Sequence, residues 1–178
     1  MNNIVLYQSK YGHSMQYATW IAEELNWELK DFKKFKKSEI KNYQNIIFGS
    51  GVFIGKMNHI KTVLKWFKDK PIILFACAGN NNVQSDIDEI KKANFTHEQL
   101  SFHHFFYLPG GVDFTKVNGF MKSMMNVFIK MIDKKQDKTR DEIALLESYK
   151  NPTYFVDKIY INDLISYVQN SSQSSFIR

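Results

Sequence analysis

The residues with the clearest chemical capacity form one short stretch, Ser9-Lys10-Tyr11-Gly12-His13-Ser14. Before it runs Ile4-Val5-Leu6-Tyr7, an apolar segment that reads as a buried strand. After it, Met15, Ala18, Ala22 and Leu25 recur at helical spacing. A strand thus ends in a loop of hydroxyls and one glycine, and a helix is expected to begin at Ser14, a favoured N-cap residue. A helix N-terminus presents unpaired N–H groups and the positive end of a dipole, which suits a phosphate. Ser9 and Ser14 add O–H donors, and Gly12 lets the backbone curl closely around an anion. The stretch is a candidate phosphate cradle, although comparable first turns of α/β proteins also occur without a ligand. Two other phosphate motifs are absent: G-x-x-x-x-G-K-S/T, and G-x-G-x-x-G after the first strand. Gly49-Ser50-Gly51 with Gly55 follows a later strand and has a different spacing.

The elements that must position this loop alternate along the chain. Strands are expected at Trp27 to Phe32, Asn45 to Gly49, Pro71 to Ala78 and Phe102 to Leu108. The third of these is apolar throughout, as a central parallel strand should be. Helices are expected at His59 to Lys68, at Asp86 to Ala93, and after Asp157 with the stripe Ile161, Leu164, Ile165 and Val168. Alternation of this kind implies a parallel sheet covered by helices on both faces. With a phosphate loop after the first strand, the expected winding is a doubly wound, five-stranded parallel sheet in the order 2-1-3-4-5.

Such sheets bind ligands at the carboxyl ends of their strands, beside the switch point. The loop after the third strand is Ser50-Gly51-Val52-Phe53-Ile54-Gly55-Lys56, and the loop after the fourth is Ala78-Gly79-Asn80-Asn81-Asn82. Both are rich in small residues, so backbone can approach a flat ligand, and Phe53 or Ile54 can cover an aromatic ring. Read alone, each is also an ordinary turn.

On these residues the chain resembles the flavodoxin superfamily, from Asn3 to Val168. Ser9-Lys10-Tyr11-Gly12-His13-Ser14 is similar to its fingerprint hydroxyl-x-hydroxyl-G-x-hydroxyl, with Tyr11 in place of a small hydroxyl residue. A narrower resemblance rests on Gly110-Gly111-Val112-Asp113, Phe120-Met121-Lys122 to Met131-Ile132, and Asp137-Lys138-Thr139-Arg140-Asp141. These look like the long insert that follows the fifth strand in flavodoxin-type, quinone-dependent protoporphyrinogen dehydrogenases, a group that Tyr11 also suits. The resemblance implies FMN as cofactor and a membrane quinone as acceptor. The FMN site it implies comprises residues 9 to 14, Ser50 to Gly55, and Ala78, Gly79 and Asn80.

The insert, about residues 109–153, has a physical reading of its own. Four of the chain's 7 methionines (Met121, Met124, Met125 and Met131) lie between Phe120 and Ile132. The apolar positions there exceed one helical stripe, so one face can pack on the sheet and another remain exposed. An exposed face would suit an apolar substrate, a second copy of the chain or a membrane surface, while a helix wholly buried in its own domain is the alternative. The span falls short of the roughly 20 residues that cross a bilayer, so membrane contact would be peripheral.

Composition narrows the rest. A chain of 178 residues is one domain by default, here 1–178 with a polar tail over 171–178. The single cysteine, Cys77, lies in an apolar run, reads as core, and fits a reducing cytosol. Met1-Asn2-Asn3 leads straight into the first strand without a signal pattern, so a cytoplasmic protein is expected, with any membrane contact on the inner face. The net charge of +6 suggests anionic partners, and Lys33-Lys34-Phe35-Lys36-Lys37 reads as a solvated connection rather than a nucleic-acid surface. His103-His104 has no second ligand cluster, so no metal is expected. Flavin chemistry asks little of side chains, so no catalytic acid or base is assigned; His13 reads as a loop residue beside the phosphate. Lys56, Lys116 and Lys122 are candidates to attract a carboxylated substrate. Two other functions remain open: an electron-carrier flavodoxin, disfavoured by the positive charge, and an interaction module that has lost FMN.

Overall fold

The computed structural model describes residues 2–79, 84–113 and 119–174. Five parallel strands form the sheet: β1 (Asn2–Gln8), β2 (Glu28–Asp31), β3 (Tyr43–Phe53), β5 (Ile73–Ala78) and β6 (His104–Pro109). Their order is β2-β1-β3-β5-β6, and a short strand β4 (Lys56–Met57) adds a hairpin to the end of β3. Counting only parallel strands, this is the expected 2-1-3-4-5 winding. The switch point lies where β1 and β3 run side by side, with Gln8 opposite Ser50.

Alternation of side chains along each strand divides the core into two layers. Ile4, Leu6, Ile46, Phe48 and Leu74 face α2 (Ile60–Trp66) and α3 (Gln84–Asn94), meeting Val63, Phe67 and Ile90. Val5, Ile47, Phe75 and Leu108 face α1 (His13–Leu25) and α7 (Asn162–Ser174), meeting Tyr17, Ile21, Leu164 and Val168. The Tyr17 hydroxyl closes that layer by donating to the Pro109 carbonyl at 2.5 Å and accepting from the Asp157 N–H at 3.3 Å.

Several boundaries differ from the sequence reading. Phe102 ends a helix, α4 (His97–Phe102), and does not begin β6. Thr96 and Gln99 build a capping box for α4, a local signal strong enough to override an apolar run. Ser50 to Phe53, expected as loop, continue β3, because Val52 and Phe53 pair with Met57 and Lys56. Asp157 caps a short 3-10 turn, Lys158–Ile161, ahead of α7. That helix runs to Ser174, past the expected start of the tail at Ser171.

The insert is a helical hairpin on a ribbon. β7 (Gly111–Val112) pairs antiparallel with β8 (Thr153–Tyr154), and α5 (Gly119–Asp133) and α6 (Arg140–Lys150) lie between them. α5 does not use the sheet as its main support. Its buried residues Ile129 and Ile132 form a separate small cluster with Leu146 of α6. Met124, Val127, Phe128 and Met131 are exposed, so the alternative of a helix wholly buried in its domain does not hold.

His103, which is buried, makes the fold sensitive to acid. Its Nδ1 accepts the Ile72 N–H at 3.3 Å, and burial holds the imidazole below the ordinary histidine value. The neutral form is therefore favoured on folding. Its contribution is fully present above about pH 6.5 and is lost as pH falls from there toward the folded value. His104 acts in the same direction, through burial and the nearby Lys91 charge. Thermal unfolding of wild type is expected to lose stability between pH 7 and 5 more steeply than His103→Gln. Parallel profiles for the two proteins would rule this out.

Candidate functional site

A cleft of about 420 Å³ opens at the carboxyl edge of β1, β3 and β5. Its first wall is the loop after β1. Gly12 is the N-cap of α1, with φ +96°, a conformation that glycine takes without strain. The Ser9 Oγ accepts the Gly12 N–H at 3.0 Å, which pins the loop and leaves the serine proton free to donate. As a glycine, the N-cap brings no side-chain hydrogen bond to the first turn of α1.

Ser14 departs from its expected place. It is the second residue of the helix rather than the N-cap, and it is buried. Its hydroxyl lies at the floor of the cleft, hydrogen-bonded to the Cys77 thiol. Burial pushes that thiol up to about 12, and the Ser14 hydrogen bond offsets only part of the rise. Cys77 is buried in the layer with Val5 and Phe75, in line with its reading as core.

The second wall is the β3–β4 hairpin. Ile54 and Gly55 occupy its turn with φ of 47° and 68°, both left-handed. That turn projects Phe53 and Ile54 outward, Ile54 with 80% of its surface exposed. Across the opening, the Lys10 ammonium sits 5.1 Å from the Tyr11 ring and 5.9 Å from the Phe53 ring, bridging the two walls. At Gly51 a Cβ would come within 3.6 Å of both the Ser14 Oγ and the Asn58 Nδ2, so a side chain there would fill the floor.

Of the residues singled out from sequence, Ser9, Lys10, Tyr11, His13, Ser14, Gly51, Val52, Phe53, Ile54 and Gly79 line the cleft. Ser50 and Ala78 are buried in the strands beside it, and the Gly55 carbonyl accepts from Asn94 at 2.7 Å. Asn80 and Lys116 lie outside the described residues. Lys56 is turned away, its ammonium donating to the Ala93 carbonyl, and Lys122 is exposed on α5. Among the described residues no group of histidine, cysteine and carboxylate side chains is arranged to hold a metal.

Asn58, Cys77, Gly111, Asp113 and Met125 also line the cleft, and sequence reasoning did not place them there. Asp113 and Met125 come from the insert, so the insert helps to wall the cleft. The Asn58 side chain is fixed by the Gly51 carbonyl at 3.0 Å. Their local sequence carries no signal of this role.

The arrangement offers anion donors at one end, an apolar hairpin and glycine-bounded backbone at the other, and the Lys10 ammonium at the rim. A planar aromatic molecule bearing a phosphate suits that donor set. Residues 4–139 match the family described as Flavodoxin domain. An uncharacterized protein of Methanocaldococcus jannaschii is 33% identical over 85 residues, 44% of this chain, and the match spans about half of that relative, 55%. A flavodoxin from the domain Archaea shares 20% identity over 60% of this chain and 85% of its own, with a TM-score of 0.38. Oxidised flavodoxin 2 from Bacillus cereus shares 14% over 74% of this chain and 99% of its own, with a TM-score of 0.44.

Proposed function

The chain belongs to the flavodoxin domain family, and from that premise we propose that it is an FMN-binding oxidoreductase of the quinone-dependent protoporphyrinogen dehydrogenase type. The carrying observation is the cleft itself, with the N-terminus of α1 and Ser9 at one end and the Phe53–Ile54 hairpin at the other. Ser9, Ser14 and the first-turn N–H groups of α1 would hold the phosphate. Phe53, Ile54 and Gly79 would flank the ring. Bound there, FMN would supply the exchange of electrons between a reduced substrate and an acceptor. The protein's part is to orient the ring, exclude water from its apolar side and keep the rim cationic through Lys10.

Titration of the purified protein with FMN, followed by flavin fluorescence, tests the cofactor. Saturable quenching supports the reading, and its absence ends it. Oxidation of protoporphyrinogen with a quinone acceptor then separates this enzyme from an electron carrier.

The acceptor side of the proposal is the outer face of α5. Met124, Val127, Phe128 and Met131 are exposed there, beside Lys130 and Lys134. None of the described helices is long and apolar enough to cross a membrane. An apolar face edged by lysines suits an anionic lipid surface, each lysine adding on the order of 1 kcal/mol near it. Wild type is expected to co-sediment with anionic but not neutral vesicles, and Met124→Glu/Phe128→Glu to stay in solution while still binding FMN. If wild type remains in the supernatant with both kinds of vesicle, the face serves something else, such as a second copy of the chain.

A further inference from the structure

We propose that His13 couples occupancy of the phosphate cradle to the seating of the helical insert. This rests on the phosphate-cradle reading above and adds a role for a residue at the cradle's variable position. His13 is the first residue of α1 and lines the cleft. The ring also packs edge-on against Tyr154 of β8, with centroids 5.3 Å apart and planes at 75°. So one residue borders both the cleft and the ribbon from which the insert grows.

The fit on the ribbon side is tight. A Cβ at Gly111 would lie 2.8 Å from the His13 Cε1 and 2.5 Å from the Thr153 carbonyl oxygen. Gly111 pairs with Tyr154, and the insert leaves and re-enters through that pair and its neighbour Val112–Thr153. Beyond the ribbon, Met125 of α5 reaches back to line the same cleft. A phosphate that fixes the His13 ring therefore fixes the surface on which Tyr154 rests. The ribbon then holds the hairpin with Met125 at the cleft. Coupling between two sites is reciprocal, so a seated insert must tighten phosphate binding by the same factor.

The test is amide hydrogen exchange over residues 119–150, with and without saturating FMN. In wild type, FMN is expected to slow exchange there on the order of tenfold, the usual size of coupling between sites. Tyr154 is 65% exposed and does not line the cleft, so Tyr154→Ala cuts the contact without touching the cradle. That variant should still bind FMN, weakened by no more than the same factor, and lose the slowing. His13→Phe keeps an aromatic ring against Tyr154 but carries no ring N–H to bind an anion. It should match wild type without FMN and show no change with it. Slowing retained in either variant overturns the proposal, as does FMN binding to wild type with no change in the insert. Failure of wild type to bind FMN in the preceding titration would instead overturn the cofactor reading itself, and this proposal with it.

Discussion

Gly49→Ala is expected to destabilise the protein by about 3 kcal/mol, the upper part of the usual range for overpacking a filled core. Gly49 lies in β3, opposite Tyr7 on one side and Phe75 on the other. A Cβ there would fall 1.8 Å from the Phe75 Cζ, inside the ring's own volume. The ring has nowhere to go, because Phe75 is fully buried in the layer formed with Tyr17 and Ile21. The unfolding midpoint in urea should drop with an unchanged slope. Gly49→Ala/Phe75→Leu should recover part of the loss, because leucine lacks the far edge of the ring. A single-variant loss below about 0.5 kcal/mol, the range of an ordinary surface change, would contradict the packing described for β3 and β5.

Gly12→Val is expected to weaken FMN binding roughly 30-fold, the equivalent of about 2 kcal/mol. The cause is backbone strain rather than a clash. At φ +96° a Cβ on residue 12 would meet nothing within 4 Å, but a β-branched residue resists that conformation. The loop must then rotate, which breaks the Gly12 N–H bond to the Ser9 Oγ and turns the first-turn donors of α1 off their common target. Gly12→Asn should be milder, because asparagine tolerates positive φ. Fluorescence titration with FMN reads both variants, and thermal unfolding checks that the fold survives. Unchanged affinity in Gly12→Val would place the phosphate elsewhere.

Much of the fold was legible because its signals are short-range. Apolar runs such as Ile46-Ile47-Phe48 and Ile72 to Ala78, alternating with helical stripes, specify strands and helices through local burial patterns. Alternation then leaves few windings that keep crossovers right-handed. The cradle was legible for the same reason, since strand, glycine, hydroxyls and helix occupy one continuous stretch. Two helices, α4 and α6, are marked in the sequence by capping boxes, Thr96 with Gln99 and Thr139 with Glu142, rather than by a long apolar stripe. α4 spans less than two turns, and the apolar residues of α6 close on α5 rather than on the sheet.

What the sequence by itself determined, then, is the sheet order, the loop after β1 and the apolar excess of the insert. Tertiary structure alone decided which side chains meet. Ser14 becomes a buried partner of Cys77 because the N-cap of α1 is Gly12, two residues before the serine that its hydroxyl suggests. Lys56 turns from the cleft because α3 offers it the Ala93 carbonyl. Met125 and Asp113 reach the cleft because the β7–β8 ribbon folds the insert back beside the start of α1, which is distant in sequence. Local propensity cannot encode such meetings. They depend on the face each element presents after the sheet is wound, and that is settled only when both core layers close together.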